Sequence, residues 1–192
     1  MLILASASPR RQALLRQIGA SFRVVPTAAE ELGGRGLSPE ALVCENARRK
    51  ALAALPEAAG VPVLAADTVV SLDGEIFGKP RDGAEAEEML SRLSGRRHTV
   101  YTGVAVAAGR RMEVAAARTI VEFASLTAEE IRRYVATGEP LDKAGAYAVQ
   151  GRAAVFITRI EGSFSNVVGL PLHLTAVLAE RAGIDLYDHD GA

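Results

Sequence analysis

Two long β-type segments, about His98–Ala107 and Met112–Phe123, flank a Gly109-Arg110 turn. Runs of that length beside a short glycine turn read as an antiparallel pair, so a sheet must be the backbone of the fold. Shorter strand-type runs lie elsewhere in the chain, at Leu2–Ala5, Phe22–Val25, Val61–Val70, Glu75–Phe77, Tyr147–Val149 and Ala153–Ile160. Helical patterns separate them. Pro9 opens one helix that Gly19 stops; Ser38 caps a second that runs to about Leu55; a third covers Asp82 to Leu93. Thr127-Ala128-Glu129-Glu130 is a capping box for a helix ended by Gly138, and Leu172–Ala182 is the last. Strands interleaved with helices, plus hairpins, predict an α/β fold with a mixed, twisted sheet and flanking helices.

With 192 residues and no linker or repeat, the chain is expected to form one domain over 1–192. Its net charge of −1 argues against nucleic acid as partner, and no apolar run is long enough to suggest a membrane partner. Met1–Ala5 lacks the features of a signal peptide, and Cys44 is the single cysteine, so a cytoplasmic location is expected. Cys44 itself reads as a packed small hydrophobe.

Against 19 arginines the chain has three lysines, and each falls in a short motif: Lys50 in Glu45–Ala51, Lys79 in Gly78-Lys79-Pro80, Lys143 in Asp142-Lys143-Ala144-Gly145. Where arginine serves as the general cation, a retained lysine points to a need for a compact ammonium. On a helical wheel Lys50 falls within the apolar arc of Val43, Ala47, Ala51 and Ala54, with Asn46 at its edge. A lysine aimed inward must either snorkel or meet a charged partner. Ser6-Ala7-Ser8-Pro9-Arg10-Arg11 runs from strand into helix, where Ser8 can cap and free N–H groups can meet an anion; Arg11 starts the inward stripe of Leu14, Leu15 and Ile18. The bland alternative is a capped helix with solvated arginines. Asp67-Thr68 follows an apolar strand, which makes Asp67 a candidate metal ligand or general base, or a plain turn-former. Glu30-Glu31 supplies either solvated acids or metal-holding carboxylates. Gly78-Lys79-Pro80 lacks the glycine spacing of a Walker loop. His98 and His173 have no spacing that suggests ligation, and Asp185–Asp190 reads as a solvated terminus in preference to a weak cation site.

Inward cations, a helix start and acids beside a strand are the parts of phosphoryl chemistry on a polyanion. Leu4–Arg11, Ala65–Thr68, Gly78–Pro80, Asp142–Gly151 and Glu161–Pro171, in that order, resemble the Maf (septum-formation) family of nucleotide pyrophosphatases. That resemblance implies an ITPase-like, two-lobed fold around a central cleft. It also implies hydrolysis of a nucleoside triphosphate to monophosphate and pyrophosphate, a divalent metal (Mg²⁺ or Mn²⁺), and a homodimer. Carried over by motif, Asp67 matches the proton acceptor, and Ser6, Arg11, Glu31, Lys50 and Lys79 match polar cleft positions. Asp67 and Glu31 would hold the metal, and Lys50 and Lys79 would act with Asp67 in catalysis. Arg10, Thr68 and Gln150 match the dTTP/UTP pyrophosphatase-like branch, where a Gln amide suits the O4/N3 edge of a pyrimidine. At the metal position the chain departs from the family, with Glu30-Glu31 in place of Asp-Glu. Two other classes are a Schiff-base enzyme using Lys50 or Lys79 and a non-catalytic nucleotide-binding regulator of cell division.

Overall fold

A computed structural model describes residues 1–34 and 36–186. Its strands are β1 (Leu2–Leu4), β2 (Phe22–Val24), β3 (Val63–Leu72), β4 (Glu75–Phe77), β5 (Arg97–Ala108), β6 (Arg111–Phe123) and β7 (Ile157–Glu161). Its α-helices are α1 (Pro9–Gln17), α2 (Pro39–Ala58), α3 (Gly83–Leu93), α4 (Ala128–Val135), α5 (Phe164–Val168) and α6 (Leu172–Arg181). The strands form one mixed sheet in the order β2-β1-β3-β5-β6-β7, with β4 paired to β3. The β5–β6 hairpin is the frame the sequence predicts: twelve paired positions from Arg97↔Glu122 to Ala108↔Arg111. Gly109 takes φ +58° at the first turn position, where a two-residue hairpin needs glycine's left-handed freedom.

Alternation along β3 and β5 sorts the core onto two faces. Val63 and Ala65 on β3, with Ala105 and Ala107 on β5, meet Ala47, Ala51, Ala54 and Ala58 of α2. The opposite face carries two clusters at its two ends. Leu64, Ala66, Val104 and Val106 pack with Leu14, Leu15, Leu170 and Leu178, whereas Val70, Leu72 and Val100 pack with Leu90, Leu93, Tyr134 and Phe156. The two lobes are these two clusters. Between them the central positions Thr68 and Thr102 are polar and paired in register.

The edge of β3 decides where the cleft opens. β1 pairs only with Val63 and Leu64, and β4 only with Val70–Leu72. Residues 65–69 therefore border a gap on that side, beyond the carboxyl end of β1, which is where ligands bind in open α/β sheets. Asp67 lies inside β3, not after its end; it reaches the crevice because β1 stops short.

Three further differences have local causes. Helix α2 continues past Leu55 to Ala58 with Pro56 inside its last turns. Tyr147–Val149 joins no ladder: Gly145 and Ala146 both have positive φ, which breaks an extended run, and the segment is buried as a wall instead. Arg152–Phe156 is a 3₁₀ helix, so the strand begins only at Ile157. The amide of Arg152 donates to both carboxylate oxygens of Glu139, at 3.0 and 3.2 Å, which pulls this stretch away from the sheet.

Candidate active site

A cleft of about 920 Å³ opens at the β3 gap, a size that holds a nucleotide-class ligand. Ser6, Arg10, Arg11, Glu31, Lys50, Asp67, Thr68 and Lys79, all singled out from the sequence, line it. Gln150 does not. It is exposed, in the turn that follows the lining residues Tyr147, Ala148 and Val149. Residues 187–190 of the acidic tail lie outside the described residues.

Because Asp67 and Thr68 are neighbours on a strand, they serve opposite faces. Asp67 points to α2 and is 6% exposed, and a carboxyl group buried this far needs hydrogen-bonding partners. It has them. Lys50 Nζ donates to Oδ1 at 2.6 Å, and Asn46 Nδ2 donates to Oδ2 at 3.0 Å. Lys50 also bridges to Glu31 Oε1 at 2.6 Å, so one ammonium joins two carboxylates. The inward arc of α2 thus ends on a salt bridge, not a snorkelling chain. Partial burial pushes the Glu31 carboxyl up, but the hydrogen bond and charge of Lys50, with Lys79 and Arg11, outweigh it and hold its pKa below the usual range.

Asn46 ties the acid loop to the sheet. Its Oδ1 accepts from the Leu32 amide at 2.8 Å while its Nδ2 holds Asp67, which fixes Glu31, one residue away, beside Lys50. Helix α2 can come this near only because residue 103 is glycine. Gly103 pairs with Asp67 across β3–β5, and a Cβ there would stand 2.2 Å from the Val43 carbonyl oxygen.

On the other face, the Arg11 guanidinium donates from Nε to the Gly169 carbonyl (2.8 Å), from Nη1 to Ser6 Oγ (3.1 Å) and from Nη2 to Thr68 Oγ1 (3.1 Å). Three of its five N–H groups are committed to neutral oxygens. Arg11 is therefore a clamp joining α1, β3 and α5 as well as a cleft charge. Its burial lowers its pKa, with Asp67 opposing. Thr68 Oγ1 shares a hydrogen bond with Thr102 Oγ1 at 2.9 Å, and Thr102 donates to the Asn166 carbonyl at 3.1 Å. Ser8 caps α1 as predicted, although its contact to the Arg11 amide is long at 3.5 Å.

Arg10 lies 3.9 Å from Asp142, which also pairs with Lys143. Lys79 is exposed at the rim and, among the described residues, makes no hydrogen bond or ion pair. His98 is buried behind the wall, with Nε2 2.9 Å from the Tyr147 hydroxyl, and burial lowers its pKa to about 4. Cys44 is half-buried, and burial raises its thiol pKa.

Residues 1–182 match the family model described as Maf-like protein. The chain belongs to the Maf family. A dTTP/UTP pyrophosphatase of Symbiobacterium thermophilum is 53% identical over 97% of this chain and 96% of its own length. Proteins of the same description from Pelotomaculum thermopropionicum and Myxococcus xanthus are 51% and 52% identical, over 96% and 97% of this chain and 98% and 94% of their own. Among solved structures, the Staphylococcus aureus Ham1 protein superposes with a TM-score of 0.54 over 94% of this chain and 98% of its own, at 18% identity, a likeness of fold alone.

Some site residues gave little or no signal in the sequence. Gly103 had one: an isolated glycine inside a strand pattern marks close backbone approach. Thr102 and Gly169 had none, because their roles depend on contacts between distant segments.

Proposed function

We infer that this Maf-family protein is a nucleoside triphosphate pyrophosphatase acting on dTTP and UTP, which it hydrolyses to the monophosphate and pyrophosphate. The observation that carries the reading is the convergence of Asp67, Glu31 and Lys50 on one cleft with Arg10, Arg11 and Lys79. Relatives at about half identity over nearly their full length bear the same description.

Asp67 is the proton acceptor. Its carboxylate is oriented by Asn46 and Lys50, and it takes a proton from a water that attacks the α-phosphorus. As the water oxygen bonds to phosphorus, the bridging oxygen to the β-phosphate leaves, and the charge it gains is met by Arg11, Lys50 and Lys79. The Arg10 amide at the start of α1 and the Ser6 hydroxyl belong to the same cleft wall and suit phosphate oxygens. Among the described residues no group of three or more His, Cys, Asp or Glu side chains could hold a metal. Two carboxylates nevertheless fit Mg²⁺ or Mn²⁺, which takes one or two carboxylates and completes its shell with phosphate oxygens and water. Asp67 and Glu31 would hold it; when bound, it neutralises phosphate charge and polarises the attacking water. Arg10 and Thr68, which line the cleft, are proposed to favour pyrimidines on the motif match; Gln150 shares that match but does not line the cleft.

No helix among the described residues is long and apolar enough to cross a membrane. The proposal includes one domain, assembly as a homodimer, and work in the cytoplasm, the last supported by a single cysteine and no disulfide. Pyrophosphate release from a panel of triphosphates with Mg²⁺ or Mn²⁺ tests the reading, with Asp67→Asn as the paired variant. Release from dTTP and UTP that drops by about 10²-fold or more in the folded variant is the expected result. Binding of dTTP without release would instead make the protein a nucleotide-binding regulator.

A further inference from the structure

We propose that Lys50 keeps the Asp67–Glu31 pair closed to free divalent cations, so that metal enters only together with the triphosphate. The inference rests on the function proposed above. Three observations carry it.

First, Lys50 Nζ lies 2.6 Å from both Glu31 Oε1 and Asp67 Oδ1, so the space between the carboxylates is taken by an ammonium. The second oxygen of Asp67 is engaged by Asn46. A cation shared by both acids needs the place of the Lys50 head. Second, the local charge disfavours a lone cation. Of the charged side chains that line the cleft, Arg10, Arg11, Lys50, Lys79 and Lys143 outnumber Glu31, Asp67, Glu75 and Asp142. A bare divalent ion meets a net positive site; a polyphosphate reverses that sign on arrival. Third, no third carboxylate, histidine or cysteine among the described residues joins the pair to make a protein-only metal site. The missing ligands must come from phosphate and water.

The triphosphate therefore does two things at once. It supplies oxygens for the metal, and it offers the Lys50 ammonium a new anionic partner, which releases the carboxylates. Metal and nucleotide binding are then positively coupled, and the coupling is reciprocal.

The test is direct binding, independent of turnover. Free Mn²⁺ is counted by electron paramagnetic resonance while Mn²⁺ is titrated into nucleotide-free wild type, Lys50→Met and Lys50→Arg, with folding checked by circular dichroism. Removing the ammonium leaves two carboxylates close together, so Lys50→Met should bind Mn²⁺ at least about tenfold more tightly than wild type. Lys50→Arg, which keeps the charge, should stay weak. Equal or weaker binding by Lys50→Met overturns the inference. If that variant does not fold, wild type decides. An α,β-methylene analogue of dUTP must tighten Mn²⁺ binding beyond the Mn²⁺ that the analogue holds alone, and no tightening overturns the inference. Pyrophosphate release on the same wild-type sample separates the two claims. Activity with unchanged Mn²⁺ affinity in Lys50→Met removes only the gate. Tighter Mn²⁺ binding in Lys50→Met without wild-type activity removes only the proposed reaction.

Discussion

Gly103→Ala isolates the geometric requirement of this site, because it adds one methyl group and touches no cleft residue. The new Cβ would stand 2.2 Å from the Val43 carbonyl oxygen, 2.4 Å from its carbon and 2.7 Å from the Cys44 nitrogen. Real Cβ contacts stay beyond 3.0 Å, so the gap must open by about 0.8 Å or more. The obstacle is helix backbone, which cannot turn aside as a side chain would. Helix α2 must lift from β5, or the sheet must bend. Asn46 and Lys50 lie one and two turns along that helix, and their bonds to Asp67 are 3.0 and 2.6 Å long. A shift of this size would break or stretch both. Overpacking of this kind costs about 1–3 kcal/mol, read as a lower midpoint in urea denaturation followed by circular dichroism. The displaced catalytic group should lower kcat/KM for dTTP by about 10²-fold, measured as pyrophosphate release where the variant is fully folded. Wild-type kcat/KM together with wild-type stability would refute the claim that Gly103 sets the approach of α2.

Arg11→Lys should fail despite keeping the charge, because an ammonium cannot span the Gly169 carbonyl, Ser6 and Thr68 at once. A loss of about 1–3 kcal/mol in denaturation and a raised KM for dTTP are the expected readouts, and full activity would count against the clamp. His98 is neutral in the fold, with a pKa near 4 against an ordinary 6.5, so the unfolded chain takes up its proton first as pH falls. Its contribution is fully present above pH 6.5 and drains away toward pH 4, by about 3 kcal/mol. His98→Gln should remove that part of the pH dependence of urea stability; an unchanged slope between pH 7 and 4 would contradict it. Lys79→Ala at the exposed rim should raise KM for dTTP severalfold and leave the denaturation midpoint in place, and a lowered midpoint would mark Lys79 as structural.

Local chemistry was legible wherever one segment suffices to express it. Ser8, Ser38 and Thr127 cap their helices, the Gly109-Arg110 turn joins β5 to β6, and the wheel of α2 turns Lys50 and Asn46 inward. Each follows from backbone periodicity or from unsatisfied amides within a few residues. The family motifs pointed to Ser6, Arg10, Arg11, Asp67, Thr68 and Lys79 for a related reason, since they occur as short runs that each carry their own turn or strand, but Gln150 in the same motifs does not line the cleft.

What the tertiary structure alone decided is which of these pieces meet. Glu31 stands in a loop without regular structure, and only the grip of Asn46 on the Leu32 amide brings it to Lys50. Tyr147–Val149 has the composition of a strand, yet it becomes a cleft wall because the turn at Gly145-Ala146 and the Glu139 carboxylate hold its neighbours off the ladder. Asp67 reaches the cleft from mid-strand because β1 ends early, and that depends on strand order in the sheet, not on residues near Asp67. Short-range order is written into adjacent side chains and amides. The union of Arg11 with Gly169, 158 positions away, exists only once the hydrophobic clusters have closed the chain around it.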